Sequence, residues 1–353
     1  KAVQVPKGDI FYQFRKDVAE GKLSMVSWLV APRNFSDHPD APWYGAWYVS
    51  EALDILTRHP DVWKKTIFIL TYDENDGYFD HIPPFVPPLT GRPDEGAAAK
   101  DIDTAEEYVT AAQERIRTGK PEAMLDSPIG LGFRVPLVIA SPWTKGGWVN
   151  SEVFDLTSPL QFLEHFLEHK TGKKIIETNI SSWRRLICGN LTSVFRPAGE
   201  DTRPALQPIS RDTLVGQIHA AQDKAIPGNY RPFDPEDPVL PRQEPGTKPA
   251  CPLPYQLTVT TRTEGDRFTV DLLAGSDLPR TKPIGVPFRV HALAAYRPDH
   301  LPGRTWNFAV REDEPLSYTW VIQDFADGHY ALELHGPNGF YGVFAGDAGD
   351  PPV

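Results

Sequence analysis

Residues 66–88 read TIFILTYDENDGYFDHIPPFVPP, and the fold class turns on them. Thr66 to Leu70 are all β-branched or apolar. That is the composition of a short strand buried on both faces, as in a parallel sheet covered by helices. The run stops at Asp73, Glu74 and Asp76, and Asp80, His81 and two Pro pairs follow. In open α/β sheets, ligands bind just past the carboxyl ends of strands. Two adjacent carboxylates at such a point are hard oxygen donors for a divalent cation. The competing reading is a solvated turn, but a turn ordinarily carries one Asp and a Gly rather than four acidic residues and a His.

Upstream, Ile10 to Glu20 reads as a helix. Ser24 to Val30 reads as an apolar strand between Gly21 and Pro32. Pro42 precedes a helix in which Val49, Ala52, Leu53 and Leu56 recur at helical spacing. With the strand at 66–70 this makes a β-α-β unit. Downstream, 89–127 is rich in Ala, Gly and charge and reads as an insertion or lid, with 103–117 as an exposed helix. Val135 to Ala140 reads as another buried strand. Ser158, Pro159 and Gln161 form a capping-box pattern for a helix reaching about Lys170, with Thr171-Gly172 as its stop.

Residues 197–254 are Pro-rich and read as an extended linker. Beyond them the pattern changes to period two, in Leu257, Val259 and Thr261 and again in Phe268, Val270 and Leu272. Turn signals stand at Gly265-Asp266 and Asp327-Gly328. The last part, 255–353, is therefore expected to be a small antiparallel β-sandwich, with HGPNGF at 335–340 as a tight turn presenting Phe340.

Composition narrows the function. The 353 residues suffice for two domains, and 40% hydrophobic content supports a real core. A net charge of −11 argues against nucleic acid and against docking on anionic lipid, though not against a zwitterionic lipid. No apolar run approaches the length of a membrane-spanning helix. Cys188 and Cys251 allow either one bridge or two buried thiols. The run His165-Phe-Leu-Glu168-His169 fits the zinc pattern of inverted zincin peptidases. Its polar residues lie mostly off the Leu160, Leu163 and Leu167 stripe, however, as on an ordinary surface helix.

DENDGYFDHIPP at 73–84 resembles a signature of the bacterial phosphoesterase family that holds phosphocholine-preferring phospholipases C and respiratory-burst-inhibiting acid phosphatases. SDHP at 36–39, RVPLVIASPWTKGGWV at 134–149, FDLTSPLQFLE at 154–164, WRRLICGNLTSVF at 183–195 and HGPNGF at 335–340 follow in the family's order. The resemblance implies an α/β, parallel-sheet, alkaline-phosphatase-like half-domain over 1–196, a linker or wrap over 197–254 and a phospholipase C C-terminal β-sandwich over 255–353. It implies a phosphoric ester hydrolase, foremost a phospholipase C on phosphatidylcholine-type diesters. An acid phosphatase and a non-catalytic fragment are the alternatives.

Residue by residue, the resemblance implies Asp73 and Glu74 as ligands of a divalent metal ion. It implies His38 as phosphate donor or general acid. Asp37, Asp76 and His81 are candidate site-lining residues. Trp43, Tyr44 and Tyr78 are candidates for an aromatic cage around choline, with core filling as the competing role. Where the family has Phe-Asp-His-Thr-Ser, this sequence has Phe154-Asp155-Leu156-Thr157-Ser158, so that His role is not carried over. The family's Glu-Asn-Arg-Ser-Phe-Asp-His type motif and its Thr or Ser nucleophile find no match here. The expectation is a C-terminal piece of a longer, secreted or periplasmic enzyme. Its absent N-terminal half would cover an exposed edge of the sheet.

Overall fold

The computed structural model describes residues 8–36, 38, 42–80, 82–89, 91–119, 125–196, 210–221, 223–226, 228, 234, 236, 242, 245–275, 284–296 and 303–350. In chain order the elements are α1 (Tyr12–Ala19), α2 (Pro42–Thr57), α3 (Pro60–Trp63), β1 (Phe68–Thr71), β2 (Gly96–Ala98), β3 (Tyr108–Val109), α4 (Ala111–Thr118), β4 (Ser127–Pro128), β5 (Leu137–Ala140), α5 (Ser158–Thr171), α6 (Ser182–Ile187) and α7 (Arg211–Ala221). There follow β6 (Leu257–Glu264), β7 (Arg267–Ala274), β8 (Val286–Ala292), β9 (Thr305–Val310), β10 (Leu316–Val321), β11 (His329–His335) and β12 (Tyr341–Asp347). The chain divides into two compact units. One holds Lys1–Leu70, Val138–Gly147 and Pro197–Lys248; the other holds Thr71–Leu137, Trp148–Arg196 and Pro249–Val353.

In the first unit, Tyr48, Ala52, Ile55 and Leu56 form the buried stripe of α2 against Phe11 and Val18. This is the expected helix, turned by about one residue from the expected stripe. On its polar side Glu51 receives Arg15 at 3.0 Å and Arg211 of α7 at 2.6 Å. Burial pushes the Glu51 carboxyl up, but the two arginines outweigh it and hold it below the usual range. The helix α7 lies inside the stretch expected to be only linker. Asp37 and Pro39 of the SDHP run, and most of the linker between 197 and 244 apart from α7, fall outside the described residues.

Strands β1 and β5 pair in a two-stranded sheet. The expectation of strands buried on both faces fails here: β1 is half-buried, and Val138 of β5 is 55% exposed. The expected strand at 24–30 does not form, and Met25, Trp28 and Val30 are 61%, 70% and 82% exposed. A strand is held by ladder hydrogen bonds to a neighbour and by burial of a face. Residues 24–30 have neither among the described residues, so apolar composition alone does not make them a strand.

The second unit contains the β-sandwich, as expected from period-two patterning. A three-stranded sheet in the order β10-β7-β6 faces a five-stranded sheet in the order β12-β11-β8-β9-β2. Pairing is antiparallel except for β2, which runs parallel to β9. Phe268, Val270 and Leu272 of β7 meet Phe288 and Val290 of β8, Trp306 and Phe308 of β9, and Leu332 and Leu334 of β11 in one buried cluster. Phe340 is half-buried against Phe288, at 6.0 Å between rings, rather than presented to solvent. On the opposite face of β9, Ala309 packs under Trp183 and Ile187 of α6.

The segment read as an insertion therefore supplies an edge strand to the sandwich. Gly96 makes this pairing work: its φ is +124°, and a Cβ there would stand 1.9 Å from the Asn307 carbonyl oxygen. Gly96→Ala is expected to cost about 1–3 kcal/mol from backbone strain alone and to detach β2. Chemical unfolding of the variant measures the loss, and an unchanged midpoint would show that β2 contributes nothing to the sandwich.

Helix α5 starts at Ser158, but without the expected box. Thr157 is its cap residue and makes no side-chain cap hydrogen bond. Ser158 Oγ instead accepts from the Asp155 amide at 3.1 Å, and Gly172 ends the helix in the left-handed conformation. The capping box occurs at α4, between Thr110 and Gln113. Of the segment expected as an exposed helix, Ala105–Glu107 makes one 3-10 turn and only α4 is α-helical; Cys188 and Cys251 are both buried and are not bridged to each other.

Candidate functional site

The acidic loop follows β1 and is locally organised by its own side chains. Asn75 Oδ1 accepts from the Gly77 amide at 3.0 Å, and Asp76 Oδ1 accepts from the Tyr78 amide at 3.1 Å. These are consecutive side-chain-to-backbone turns of the kind Asn and Asp favour. Gly77, at φ +80°, takes the left-handed position between them. Arg134 closes the arrangement from a distant part of the chain. Its Nη2 donates to Asp76 Oδ2 at 2.7 Å, and its guanidinium lies 5.3 Å from the centre of the Tyr78 ring. Phe79 stands edge-on to Phe133 at 4.9 Å.

The four residues DEND thus divide into two kinds. Asp76 and Asn75 hold the loop. Asp73 and Glu74 are exposed and have no hydrogen-bond or ion-pair partner among the described residues. Asp76 was a candidate lining residue, and its carboxylate is engaged with Arg134. Sequence reading missed Arg134, because its partner is 58 residues away and no local spacing marks it.

Burial pushes the Asp76 carboxyl up, yet the Tyr78 amide and Arg134 hold it below the usual range. A depressed carboxyl favours the folded loop above the unfolded-state value, and that contribution is lost as pH falls through the folded value. Arg134→Ala is expected to raise the Asp76 pKa toward an ordinary Asp, read by NMR titration of its side-chain carbonyl. An unmoved titration would contradict the clamp.

The first unit holds His38, Trp43 and Tyr44. His38 is exposed, and its amide donates to Ser36 Oγ at 3.4 Å. Tyr44 lines a cleft of about 410 Å³ with Phe35, Trp47, Asp212 and His219, and its hydroxyl is 3.1 Å from His219 Nε2. Trp43 is 55% exposed and is not among the cleft residues. Tyr78 is in the second unit, and His81 lies outside the described residues.

Two hard donors, unpaired and adjacent, suit a divalent cation as part of its ligand set. Among the described residues no group of three or more His, Cys, Asp and Glu side chains is gathered closely enough to complete one. His165, Glu168 and His169 are exposed on α5, the placement expected of a surface helix.

A second constellation supports the 154–158 loop where the family's His is replaced. Arg184 of α6 donates to Glu107 Oε1 and Oε2 at 2.8 Å each, to Asp155 Oδ2 at 2.6 Å and to the Gly130 carbonyl at 2.5 Å. Asp155 Oδ1 in turn accepts from the Thr157 amide and hydroxyl. Burial alone would push the guanidinium down, but the bonds to Glu107 and Asp155 reverse this and its pKa rises. Leu156 is 48% exposed.

Comparison with known proteins agrees with this architecture. Residues 1–168 match the phosphoesterase family, and residues 249–347 match the bacterial phospholipase C C-terminal domain. The chain is 37% identical over 335 residues to a non-hemolytic phospholipase C of Pseudomonas aeruginosa, covering 94% of the chain and 44% of that protein. It is 38% identical over 353 residues to the hemolytic phospholipase C of the same organism, covering 95% and 44%. To a non-hemolytic phospholipase C of Burkholderia pseudomallei it is 37% identical over 342 residues, covering 96% and 44%. The chain therefore spans less than half the length of these curated relatives. Over the two matched stretches, the chain is phosphoesterase-family sequence followed by a bacterial phospholipase C C-terminal domain.

Proposed function

We propose that this chain carries part of a metal-dependent phosphoric ester hydrolase, a phospholipase C acting on phosphatidylcholine-type diesters. The observation that carries the reading is the loop after β1: Asp73 and Glu74 are left free while Asn75, Asp76 and Arg134 hold the backbone beneath them. Asp73 and Glu74 would hold a divalent metal ion. When bound, such an ion neutralises charge developing on phosphoryl oxygens. Asp73 and Glu74 contribute fixed negative charge at the strand end. His38, which is exposed, would bind the phosphate or deliver a proton to the leaving oxygen. Asp37 and His81 remain candidate site residues by their place in the sequence.

The alkaline-phosphatase-like parallel sheet, with the division into 1–196, 197–254 and 255–353, belongs to this proposal. So do the further metal ligands and the Thr or Ser nucleophile, which would come from the portion of the relatives' length that this chain does not span. That portion would pack on the exposed Met25, Trp28, Val30 and Val138 and pair the short β1–β5 sheet. For choline, the Tyr44 cleft offers ring faces from Phe35 and Trp47 and a carboxylate from Asp212, with Trp43 and Tyr78 as further candidates. The enzyme would be secreted or periplasmic.

A two-arm assay tests the proposal. The full-length enzyme should release phosphocholine from phosphatidylcholine and lose this activity to a chelator, and residues 1–353 alone should release none. Hydrolysis confined to monoesters would favour the acid phosphatase instead. Turnover by residues 1–353 alone would mean that the nucleophile lies within them, with Thr71 the first candidate.

A further inference from the structure

The outer face of the five-stranded sheet carries an arginine and two histidines that the hydrolytic reading does not use. Across β8 and β11, Arg289 stands opposite His335, and His291 stands opposite Glu333. Side chains two apart on a strand share a face, so these four form one patch. The segment at 82–85 covers it, leaving a cleft of about 100 Å³ lined by Ile82, Pro83, Phe85, Arg289, His291 and His335. All of these residues belong to the second unit.

The groups in the cleft are not equally occupied. Glu333 Oε2 lies 3.9 Å from His291 Nδ1 and 3.8 Å from His335 Nε2, and Glu333 Oε1 accepts from the Tyr341 hydroxyl at 2.8 Å. The Glu333 carboxylate is thus shared among three neighbours, His291, His335 and Tyr341. Arg289 has no ion-pair or hydrogen-bond partner among the described residues, although it is half-buried. Burial holds its guanidinium below the usual arginine value, with no carboxylate among the described residues to offset it. A half-buried guanidinium without a partner is costly, and arginine's planar fork of donors matches the oxygens of a phosphoryl group. The apolar wall of Ile82, Pro83 and Phe85 lowers the local dielectric, which strengthens any charge bound there. Against a net charge of −11, a local cation such as Arg289 in an apolar-walled cleft is what would hold an anion.

We propose that this cleft is a binding site for a phosphoryl anion, separate from the hydrolytic residues, with Arg289 as the principal contact and His291 and His335 flanking it. Its size suits a phosphate head rather than a whole lipid, so a lipid would bind by its headgroup and a free ester by its phosphate.

The test titrates inorganic phosphate into the chain and follows binding by calorimetry. Saturable binding is expected at millimolar phosphate. Arg289→Gln should weaken it about tenfold or more, as loss of a charged hydrogen-bond donor does. Asp73→Ala with Glu74→Ala should leave it intact, which separates this site from the hydrolytic one. Circular dichroism of Arg289→Gln should match the parent, and His335→Gln, which removes a flanking ring without touching the arginine, should give a smaller loss. Co-sedimentation with phosphatidic acid vesicles that Arg289→Gln abolishes would assign the phosphoryl group to a lipid. Phosphate binding without co-sedimentation would assign it to a free ester. Absence of phosphate binding, or equal binding by a folded Arg289→Gln, overturns the proposal.

Discussion

Replacing Arg184 by Met is expected to destabilise the second unit by about 3–5 kcal/mol, the cost of leaving buried charges without their partner. The side chains of Glu107 and Asp155 are 4% and 2% exposed, so water cannot take the guanidinium's place. Methionine preserves most of the aliphatic volume but none of the donors to Glu107, Asp155 and the Gly130 carbonyl. The damage should concentrate where those acceptors lie: the turn before α5, held by Asp155, and the segment at 105–109 that carries Glu107. Thermal unfolding should move down by roughly 6–20 °C. Arg184→Lys should recover only part of the loss, because one ammonium cannot serve two carboxylates in the arginine's geometry. A loss under about 1 kcal/mol for Arg184→Met would place this network among ordinary surface pairs and contradict its role.

How much of this was legible in the sequence depends on how local the cause was. The sandwich strands could be read because alternation of Val, Leu and Phe with polar residues is a property of each strand, and the turns at Gly265 and Asp327 carry left-handed backbone. Helix α2 could be read for the same reason, from its own periodicity. The strand expected at 24–30 could not be judged from composition, since a strand needs a neighbour that the apolar run does not encode. Strand β2 was missed because Gly-Ala-Ala has no strand signal, and its place depends on the fit of Gly96 against Asn307 in β9. At the candidate site, the acidic cluster was visible as a motif. Which carboxylate holds the loop and which stay free was not visible, because that division is made by Arg134. Arg184, which ties together Glu107 and Asp155 across long sequence separations, was invisible for the same reason.

The second large effect concerns Asp73 and Glu74. In the full-length enzyme, Asp73→Ala or Glu74→Ala should lower kcat/KM by about 10³-fold or more, since a bound metal is worth several kcal/mol to the charged transition state. Both side chains are exposed and have no partner among the described residues, so neither change should disturb folding. Arg134→Ala should be milder, loosening the loop while leaving both donors in place. The measurement that reaches the central claim most directly is the metal content of the full-length enzyme, taken by elemental analysis after exhaustive dialysis. The account predicts tightly held divalent metal in the parent and its loss in the folded Asp73→Ala, Glu74→Ala double variant. Full metal retention by that variant would contradict it.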